Sequence, residues 1–487
     1  MASVNFTGPA VGGLVSPSYT KNITTGSYLD LASSAGQGWA QQYLPDLYEA
    51  EVERYGDRSI SGFLSMIGAE EAMTADQVVW SEQGRLHLAY KATINTATGV
   101  VTADSIKDID NQSGSSIAHA VRKGQTVVCQ ITTGSDVVVA KAQCTAGIEA
   151  ATNTLTLRPF GAEHFDDLAN VAVASTAVIK FFVYGSDFGK GSLGMEESVE
   201  AEFKSFSNKP IIIKDKYVVS GSDASQIGWI EVSGESGQGG YLWYLKSAGD
   251  TRKRFEDYLE MSVVEGVSKN ANAGVTGTGT EGLFEAIESR GMISDSGMFD
   301  GGSNNDDLDD FDVLIGELDK QGAIEENMLF LDRSANLAFD NMLAGANNYH
   351  SAGTNYGVFN NSEDMALNLG FNGFRRGSYD FYKSDWKYLN NKSTRGLIND
   401  GATVGKVEGV LIPAGTTNVY DQGMGKNINR PFLHVRYRAS QADDRKMKSW
   451  ITGSVGAATS ALDAMEVHYL SERCLVVQAA NNFVLFR

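Results

Sequence analysis

The segment GYLWYLKSAGDTRKRFEDYLEMSVVEGVSKNA (240–271) constrains the fold most, because its pattern predicts one long, charged helix. Its apolar side chains share roughly one stripe: Leu242, Leu245, Phe255, Leu259 and Gly266. Opposite charges stand four residues apart on the outer face, Arg252 with Glu256 and Lys253 with Asp257. Gly266 and Asn270 are candidate terminators. At about 1.5 Å per residue the helix would be roughly 40 Å long, which suits either a stiff beam or a helix packed along a sheet.

The C-terminal segment AMEVHYLSERCLVVQAANNFVLFR (464–487) alternates apolar and polar residues and predicts one long strand that continues to the last residues. Two further strands are predicted at VEGVLIPAG (407–415) and FLHVRYRAS (432–440).

Residues 93–185 are predicted to form a separate β module, a small barrel or a sandwich. Four strand candidates recur there at short spacing: TVVCQIT (126–132), DVVVAKAQCTA (136–146), TNTLTLRPF (152–160) and NVAVASTAVIKFFVYG (170–185). The apolar run 168–185 is rich in β-branched and aromatic residues, which favours a strand over a membrane span. Extended material flanks the module, with a strand or hairpin in VVWSEQGRLHLAYKATI before it and SVEAEFKSFSNKPIIIKDKYVVSGSD (198–223) after it.

The region between the long helix and the later strands mixes helix and strand signals. We predict a helix at DDFDVLIGELDKQGA (309–323), a buried strand at NMLFL (327–331) and a helix from 332 with Asp332 as its N-cap. The chain therefore belongs to the α+β or α/β class, and its 487 residues suggest roughly two to four domains. Residues 1–50 show little periodicity, lack a signal-peptide pattern and predict an arm on the protein's own surface or on a neighbouring subunit.

The charge balance and the cysteines exclude some classes of function. A net charge of −20 disfavours sequence-specific recognition of nucleic acid, because carboxylates repel phosphates. Cys129, Cys144 and Cys474 lie in apolar, strand-like contexts, and three scattered cysteines make a poor disulfide framework. We predict that they are buried, small hydrophobic residues of a protein from a reducing compartment.

No motif gives a convincing chemical site. GTGTEG (277–282) matches G-x-G-x-x-G but follows a polar loop rather than a strand, which favours a linker. GSDFGKGS (185–192) has the wrong spacing for a phosphate loop, and the acidic stretch DGGSNNDDLDD (300–310) has the wrong order for a calcium loop. The six histidines form no zinc-binding pattern: His87, His119, His164, His350, His434 and His468. We therefore predict no catalytic, cofactor-binding or metal-binding residue, no cofactor and no enzymatic activity.

The order of these elements resembles a major capsid protein of tailed bacteriophages with the Hong Kong 97-type fold. The match in the last strand is to Glu472 and Arg473, followed by Leu475, Val477 and Phe483. GTEGLFEAIESRGM (279–292) and the helix at 241–268 fit the neighbouring elements of that family, and the sequence from SVNFTGPAVGG onward looks most like crAssphage-like gut phages. The module at 93–185 departs from the simple pattern, and the Lys–Asn crosslink of some members cannot be mapped here.

The resemblance implies an α+β fold with an inserted small β-barrel or sandwich and a fixed order of regions. These are an N-terminal arm (1–55), an extended loop with its base (56–92 and 186–239), the inserted module (93–185), a peripheral domain with spine helix 241–268 (240–330), an axial domain (331–430) and the return to the peripheral domain with the closing strand (431–487). The module would either brace adjacent capsomers or bind host-associated glycans.

The resemblance also implies a function and a set of partners. Pentamers and hexamers would close into an icosahedral shell around double-stranded DNA, without sequence-specific binding and without a membrane. Partners would be neighbouring capsid subunits, the portal, a separate scaffolding protein and auxiliary or decoration proteins, in a virion capsid assembled in the host bacterial cytoplasm. Two other classes stay open: another virion structural protein or surface adhesin, such as a glycan-binding tail component, and a cytosolic β-rich hydrolase with paired carboxylates.

Overall fold

The computed structural model describes sixteen stretches of the chain and divides it into two compact units. The described residues are 70–108, 115–133, 136–148, 154–171, 176–195, 200–201, 203–222, 231–233, 239–268, 279–294, 306–322, 324–349, 373–400, 405–421, 426–455 and 459–487. The framework unit comprises Met1–Trp80 and Ser207–Arg487, and the barrel unit comprises Ser81–Phe206. The predicted arm 1–55 lies outside the described residues.

Strands dominate both units. In chain order they are β1 (Glu70–Met73), β2 (Val78–Gln83), β3 (Ala89–Asn95), β4 (Val100–Val101), β5 (Lys107–Asp108), β6 (Gln125–Thr133), β7 (Asp136–Ala146), β8 (Leu155–Pro159), β9 (Thr176–Ser186), β10 (Phe203–Asn208), β11 (Ile211–Ser220), β12 (Glu231–Ser233), β13 (Gly239–Tyr241), β14 (Met292–Ser294), β15 (Glu326–Leu331), β16 (Gly373–Arg376), β17 (Tyr379–Asp385), β18 (Gly409–Pro413), β19 (Thr416–Asp421), β20 (Lys426–Pro431), β21 (Leu433–Arg438), β22 (Lys448–Gly453), β23 (Ala464–Val477) and β24 (Val484–Phe486).

The described α-helices with complete bounds belong to the framework unit. They are α1 (Leu242–Val264), α2 (Leu283–Arg290), α3 (Asp306–Gln321), α4 (Arg333–Tyr349) and the single turns α5 (Lys387–Asn390) and α6 (Gly396–Asn399). The predicted long helix is thus confirmed as α1, which ends two residues before Gly266. The N-cap prediction is also confirmed, because the Asp332 carboxylate accepts a hydrogen bond of 2.6 Å from the Ala335 N–H.

The barrel unit contains a closed antiparallel barrel. Its strands follow the order β4–β8–β7–β6–β9–β3, and β3 pairs back to β4 through Ile94 and Val101. Alternate side chains fill the interior, among them Ile94, Ile131 and Ile179. The turn into β4 requires Gly99, whose φ is +70° and whose added Cβ would lie 2.2 Å from the Leu157 carbonyl oxygen. This closed strand order is that of a barrel rather than a sandwich.

The first sheet of the framework unit is organised around β23. Its order is β1–β21–β23–β11, and β22 also pairs with β23. One long strand therefore holds partners that are far apart in sequence, with β11 along residues 464–473 and β21 along residues 473–477. Helix α1 lies on this sheet and contributes Phe255 and Leu259 to a core with Val467 and Tyr469.

The second sheet lies between two layers of helices. Its order is β14–β24–β18–β15–β17–β16. Within β18, Val410 and Ile412 enter a core with α2, while Leu411 enters the core of α3 and α4 on the opposite face. This combination of helices with sheets whose strands pair mostly antiparallel confirms the α+β class.

Four details differ from the sequence predictions. The C-terminal run is two strands, because Ala479 adopts the left-handed conformation (φ 51°) and turns the chain from β23 into β24 of the second sheet. The run 471–477 is buried at every position rather than alternating, since both of its faces are covered. Strands β2 and β3 form no hairpin with each other, because β2 pairs with β10 and β3 pairs within the barrel. Helix α3 also begins at Asp306, inside the predicted acidic loop.

Candidate assembly framework

The charged pair of the closing strand, Glu472 and Arg473, is buried in the centre of the first sheet. Glu472 accepts charge-assisted contacts from two arginines, Arg438 at 3.2 Å and Arg445 at 2.8 Å. A buried carboxylate is costly unless it is paired in this way. Glu472 therefore fixes the end of β21 and the following loop onto β23.

Arg473 points to the opposite face of the strand, so the two neighbours do not pair with each other. Its guanidinium donates to the Ser471 hydroxyl and to the Lys446 carbonyl oxygen, each at 3.0 Å. It also lies 3.6 Å from the Glu70 carboxylate. Burial lowers the pKa of Arg473, while the carboxylates of Glu70 and Glu260 act in the opposite direction. Arg473 thus links β23 to β1 and to the helix side of the sheet.

Further ion pairs hold β1 against β21. Arg436 lies 2.8 Å from Glu71, and Lys446 pairs with Glu70. Arg438 pairs with Asp76 as well as with Glu472. Strand β1 is only four residues long, so few backbone hydrogen bonds join it to β21. These contacts therefore stabilise the sheet edge where the described chain begins.

Helix α1 is fixed along its length by contacts of three kinds. Phe255 stacks on Tyr469 of β23, with ring centroids 5.8 Å apart. Arg254 pairs with Asp215 of β11 at 2.9 Å. Past the last turn, the Glu265 carboxylate accepts hydrogen bonds from Arg395 and from the Tyr388 hydroxyl, and burial and this carboxylate raise the pKa of Tyr388. The helix is a rigid beam of about 35 Å across the framework unit.

Asn208 ties three distant segments together at the end of β10. Its amide nitrogen donates to the carbonyl oxygens of Leu475 (2.7 Å) and Glu281 (2.9 Å). Its amide oxygen accepts hydrogen bonds from the Glu281 N–H (2.9 Å) and the Thr280 hydroxyl (3.2 Å). A buried amide with donors and acceptors all used is a structural hub.

This hub also explains the glycine motif 277–282, of which 279–282 are described. The Gly282 N–H donates to the Gly266 carbonyl oxygen at 2.9 Å, and a Cβ on Gly282 would lie 2.5 Å from the Gly266 nitrogen. The glycines allow two backbone segments to approach closely. The motif acts as the linker that the sequence predicts.

The other candidate motifs make contacts within the folded chain. Four residues of GSDFGKGS, Asp187, Phe188, Gly189 and Ser192, line a cavity of about 390 Å³ in the barrel unit. The described residues that follow the motif, 193–195, are not helical, and the Ser192 hydroxyl donates to the Gly189 carbonyl oxygen. Among the described histidines, His434 contacts the Pro431 carbonyl oxygen and His468 stacks on Trp450; His350 lies outside the described residues. Within the described part of the chain, no three His, Cys, Asp or Glu side chains are arranged to hold a metal ion.

The three cysteines are buried and unpaired with one another, as predicted. Burial raises the pKa values of Cys129 and Cys474 to about 12, so both are neutral thiols at physiological pH. No described helix is long and apolar enough to span a membrane.

Sequence reasoning found Glu472, Arg473 and α1 but missed most of their partners. Asn208 contacts Leu475 across 267 positions of sequence, and nothing local marks it. Arg436 and Arg438 left a signal, because two arginines alternate within an otherwise apolar strand and require carboxylates. The framework is therefore a long-range network, and its described members include residues of β1, β10, β11, α1, β21 and β23.

Comparisons with known proteins give distant structural likenesses. No protein-family model matches the chain, and no curated protein matches it. A structure from Microbacterium phage Oxtober96 shares 9% identity over 93% of this chain and 99% of that chain, with a TM-score of 0.38. One from Gordonia phage Cozz shares 11% identity over 96% and 99%, with a TM-score of 0.37. A third, the capsid structure of the cyanophage P-SCSP1u, shares 7% identity over 62% and 79%, with a TM-score of 0.33.

Proposed function

We propose that this chain is the major capsid protein of a tailed bacteriophage and that its function is assembly into a closed shell. The observation that carries the proposal is the arrangement around β23. This strand joins β11, β21 and β22, lies under the beam α1, and leads into β24 of the second sheet. The framework unit is thus braced by one strand and one helix, which suits a wall element that must transmit force without bending.

The regions take the roles that the family resemblance gives them. Residues 240–330 and 431–487 form the peripheral domain with its spine helix and closing strand, and 331–430 form the axial domain around which copies meet. Residues 56–92 and 186–239 form the extended loop, interrupted by the module at 93–185. The pairing of β2 with β10, which stand before and after the module in sequence, supports this assignment of the loop.

Assembly follows from many repeated contacts between identical subunits. Pentamers and hexamers close into an icosahedral shell, because closed symmetry satisfies every subunit surface. Individually weak contacts add through multivalency. The net charge of −20 keeps packaged DNA from adhering to the inner wall. The shell forms in the host cytoplasm with a scaffold, a portal and auxiliary proteins, and it becomes the virion capsid.

Electron microscopy of the purified protein, expressed with a candidate scaffolding protein, tests the proposal. We expect closed shells or free capsomers. Tubes or fibres would instead favour another virion component or an adhesin, and monodisperse globules would favour a hydrolase. A variant without residues 93–185 tests the bracing role of the module, since intact and stable shells from that variant would contradict bracing.

A further inference from the structure

Three neighbouring strands of the barrel carry large apolar side chains that the folded chain leaves exposed. The strands are adjacent in the order β7–β6–β9. Their inward residues fill the barrel core, so the apolar residues that alternate with them on the outer side do not pack there. The exposed side chains are Val137 (54%), Val139 (68%), Val178 (41%) and Phe182 (48%). Apolar residues exposed side by side in this way usually mark a contact surface.

The strand register arranges the outward residues in three rows, with β7 on one side, β6 in the middle and β9 on the other side. From one end, the rows are Val137–Thr132–Val178, Val139–Gln130–Lys180 and Lys141–Val128–Phe182. We call these nine residues the barrel patch. Lys141 and Lys180 are exposed, and they stand on the two outer strands, where a long side chain can carry its charge to the rim. The middle strand of the patch is uncharged.

A two-fold axis along β6 makes the barrel patch complementary to itself. When a second copy is turned about this axis and packed face to face, each β7 residue meets the β9 residue of the same row. Val137 then faces the second copy's Val178, and Lys141 faces the second copy's Phe182, which allows a cation–π contact. Packed sheets keep their strands within about 30° of each other, so the rows still correspond. The four lysines of the pair lie along its two sides, where water and salt screen their repulsion.

A two-fold axis across the strands would give a worse contact. Each strand would then meet its own copy in the reverse direction. Lys180, in the middle row of β9, would face the second copy's Lys180. Like charges that face each other across a contact are unfavourable. The positions of the charges therefore favour the axis along β6.

We propose that the barrel patches of two copies pack against each other about a two-fold axis along β6. The inference rests on the proposed function, because a shell brings many copies side by side. The patch spans only about 14 by 17 Å, from three strands and five residues along each. Each partner of a stable dimer contributes about 800 Å². The contact is therefore too small to hold a dimer in solution, and it acts as a brace between copies that the shell already holds together.

Crosslinking one residue to its own copy tests the axis, because such a link can only join two chains. Gln130 lies on the proposed axis, and facing sheets pack about 10 Å apart. The variant Gln130→Cys is assembled into shells and treated with a bismaleimide of about that length. We expect a covalent dimer in shells and none in unassembled protein. The three native cysteines are buried, and the control Glu163→Cys, exposed outside the barrel patch, is expected to give no dimer.

Two matched substitutions test the pairing of the rows in the Gln130→Cys background. Val139→Glu and Val178→Glu make the same chemical change at exposed positions of the barrel patch. In the proposed contact the carboxylate at 139 meets the second copy's Lys180, whereas the carboxylate at 178 meets only the second copy's Val137. We expect Val139→Glu to keep the dimer yield and Val178→Glu to lower it roughly tenfold, because a carboxylate against an apolar surface is costly. A similar fall in both variants would overturn the proposed pairing.

The outcomes separate this inference from the proposed function. Closed shells of the Gln130→Cys variant in which no dimer forms would overturn the inference and leave the capsid role intact. Protection of that thiol from a small monofunctional maleimide in the same shells would show that a different surface covers the barrel patch. Failure of the unmodified chain to form shells or capsomers would overturn the proposed function and this inference with it.

Discussion

Phe255 of α1 stacks on Tyr469 of β23, with ring centroids 5.8 Å apart and ring planes 30° apart. This contact fixes the beam to the closing strand, and Phe255 has no exposed surface. Replacing Phe255 with alanine is therefore expected to lower the free energy of unfolding by about 3–5 kcal/mol, measured by urea denaturation. Tyr258→Ala on the same helix removes an aromatic ring that is 41% exposed and is expected to lower the free energy of unfolding by much less, about 1 kcal/mol. Equal losses from both variants would contradict the role of the stack.

The Glu472→Gln substitution only replaces a carboxylate with an amide, yet we expect it to lower the free energy of unfolding strongly. It puts a neutral amide at the buried position of Glu472, against the half-buried Arg438 and Arg445, and Arg438 keeps only Asp76 as a carboxylate partner among the described residues. Breaking a buried ion pair by removing one partner costs about 3–5 kcal/mol. The control Asp443→Asn makes the same chemical change in a half-exposed pair with Lys448 and is expected to cost less than about 1 kcal/mol. Thermal unfolding of both variants measures this difference. Equal losses from the two variants would show that the ion pairs of Glu472 do not stabilise the fold.

Asn208→Asp tests the hub at the end of β10. The new carboxylate would face the carbonyl oxygens of Leu475 and Glu281, to which the amide now donates. We expect a loss of at least about 1–3 kcal/mol at neutral pH. The loss should shrink as the pH falls, because a protonated carboxyl regains one O–H donor. Urea unfolding at neutral and acidic pH measures this difference, and a loss that is the same at both would contradict the donor role.

The cysteines are expected to resist alkylation in the folded protein. A thiol with a pKa of about 12, as at Cys129 and Cys474, is ionised at pH 8 in only about one molecule in ten thousand. Iodoacetamide should leave the native chain unmodified and should label all three cysteines in urea. Intact mass spectrometry reads the result directly, and rapid labelling of the folded chain would show that one thiol is accessible.

The contacts of the Glu466 carboxylate predict that the stability of the fold depends on pH. Burial alone would raise its pKa, but Lys216, the Thr452 hydroxyl and His468 outweigh burial and hold the pKa below its usual value. A depressed carboxyl pKa stabilises the fold above the pKa of the unfolded chain, and this stability is lost as the pH falls through the folded pKa. Glu466→Gln should therefore cost up to about 1 kcal/mol at pH 7. The stabilities of the variant and of the unmodified chain should converge once the pH falls below the folded pKa, and a gap that persists in stronger acid would contradict this origin.

Local patterns predicted the elements well where one residue type decides the structure. The stripe and the charge pairs of 240–271 predicted α1, and Arg252 does pair with Glu256 at 3.1 Å. Asp332 marked a helix start because a carboxylate satisfies free backbone N–H groups. The strands at 126–132 and 136–146 were also correct, within one or two residues.

Features that depend on distant partners could not be read from the sequence. Ala479 carries no local signal for a left-handed turn, since alanine does not favour that conformation, so β23 and β24 were merged into one strand. The pairing of β2 with β10 depends on segments more than a hundred residues apart. Within the framework, Glu472 and Arg473 were found as a motif, but their separate partner sets on opposite faces depend on the folded sheet.

The position of β23 and β24 also bears on how a ribosome makes this chain. Residues 464–486 supply the central strand of one sheet and an inner strand of the other. A nascent chain that has not yet extruded them can complete neither sheet, although the barrel unit, made earlier, already has all its strands. During translation the framework unit would therefore stay incompletely folded until residues 464–486 have left the ribosome. Partly synthesised copies are thereby kept out of any assembly that requires a finished framework.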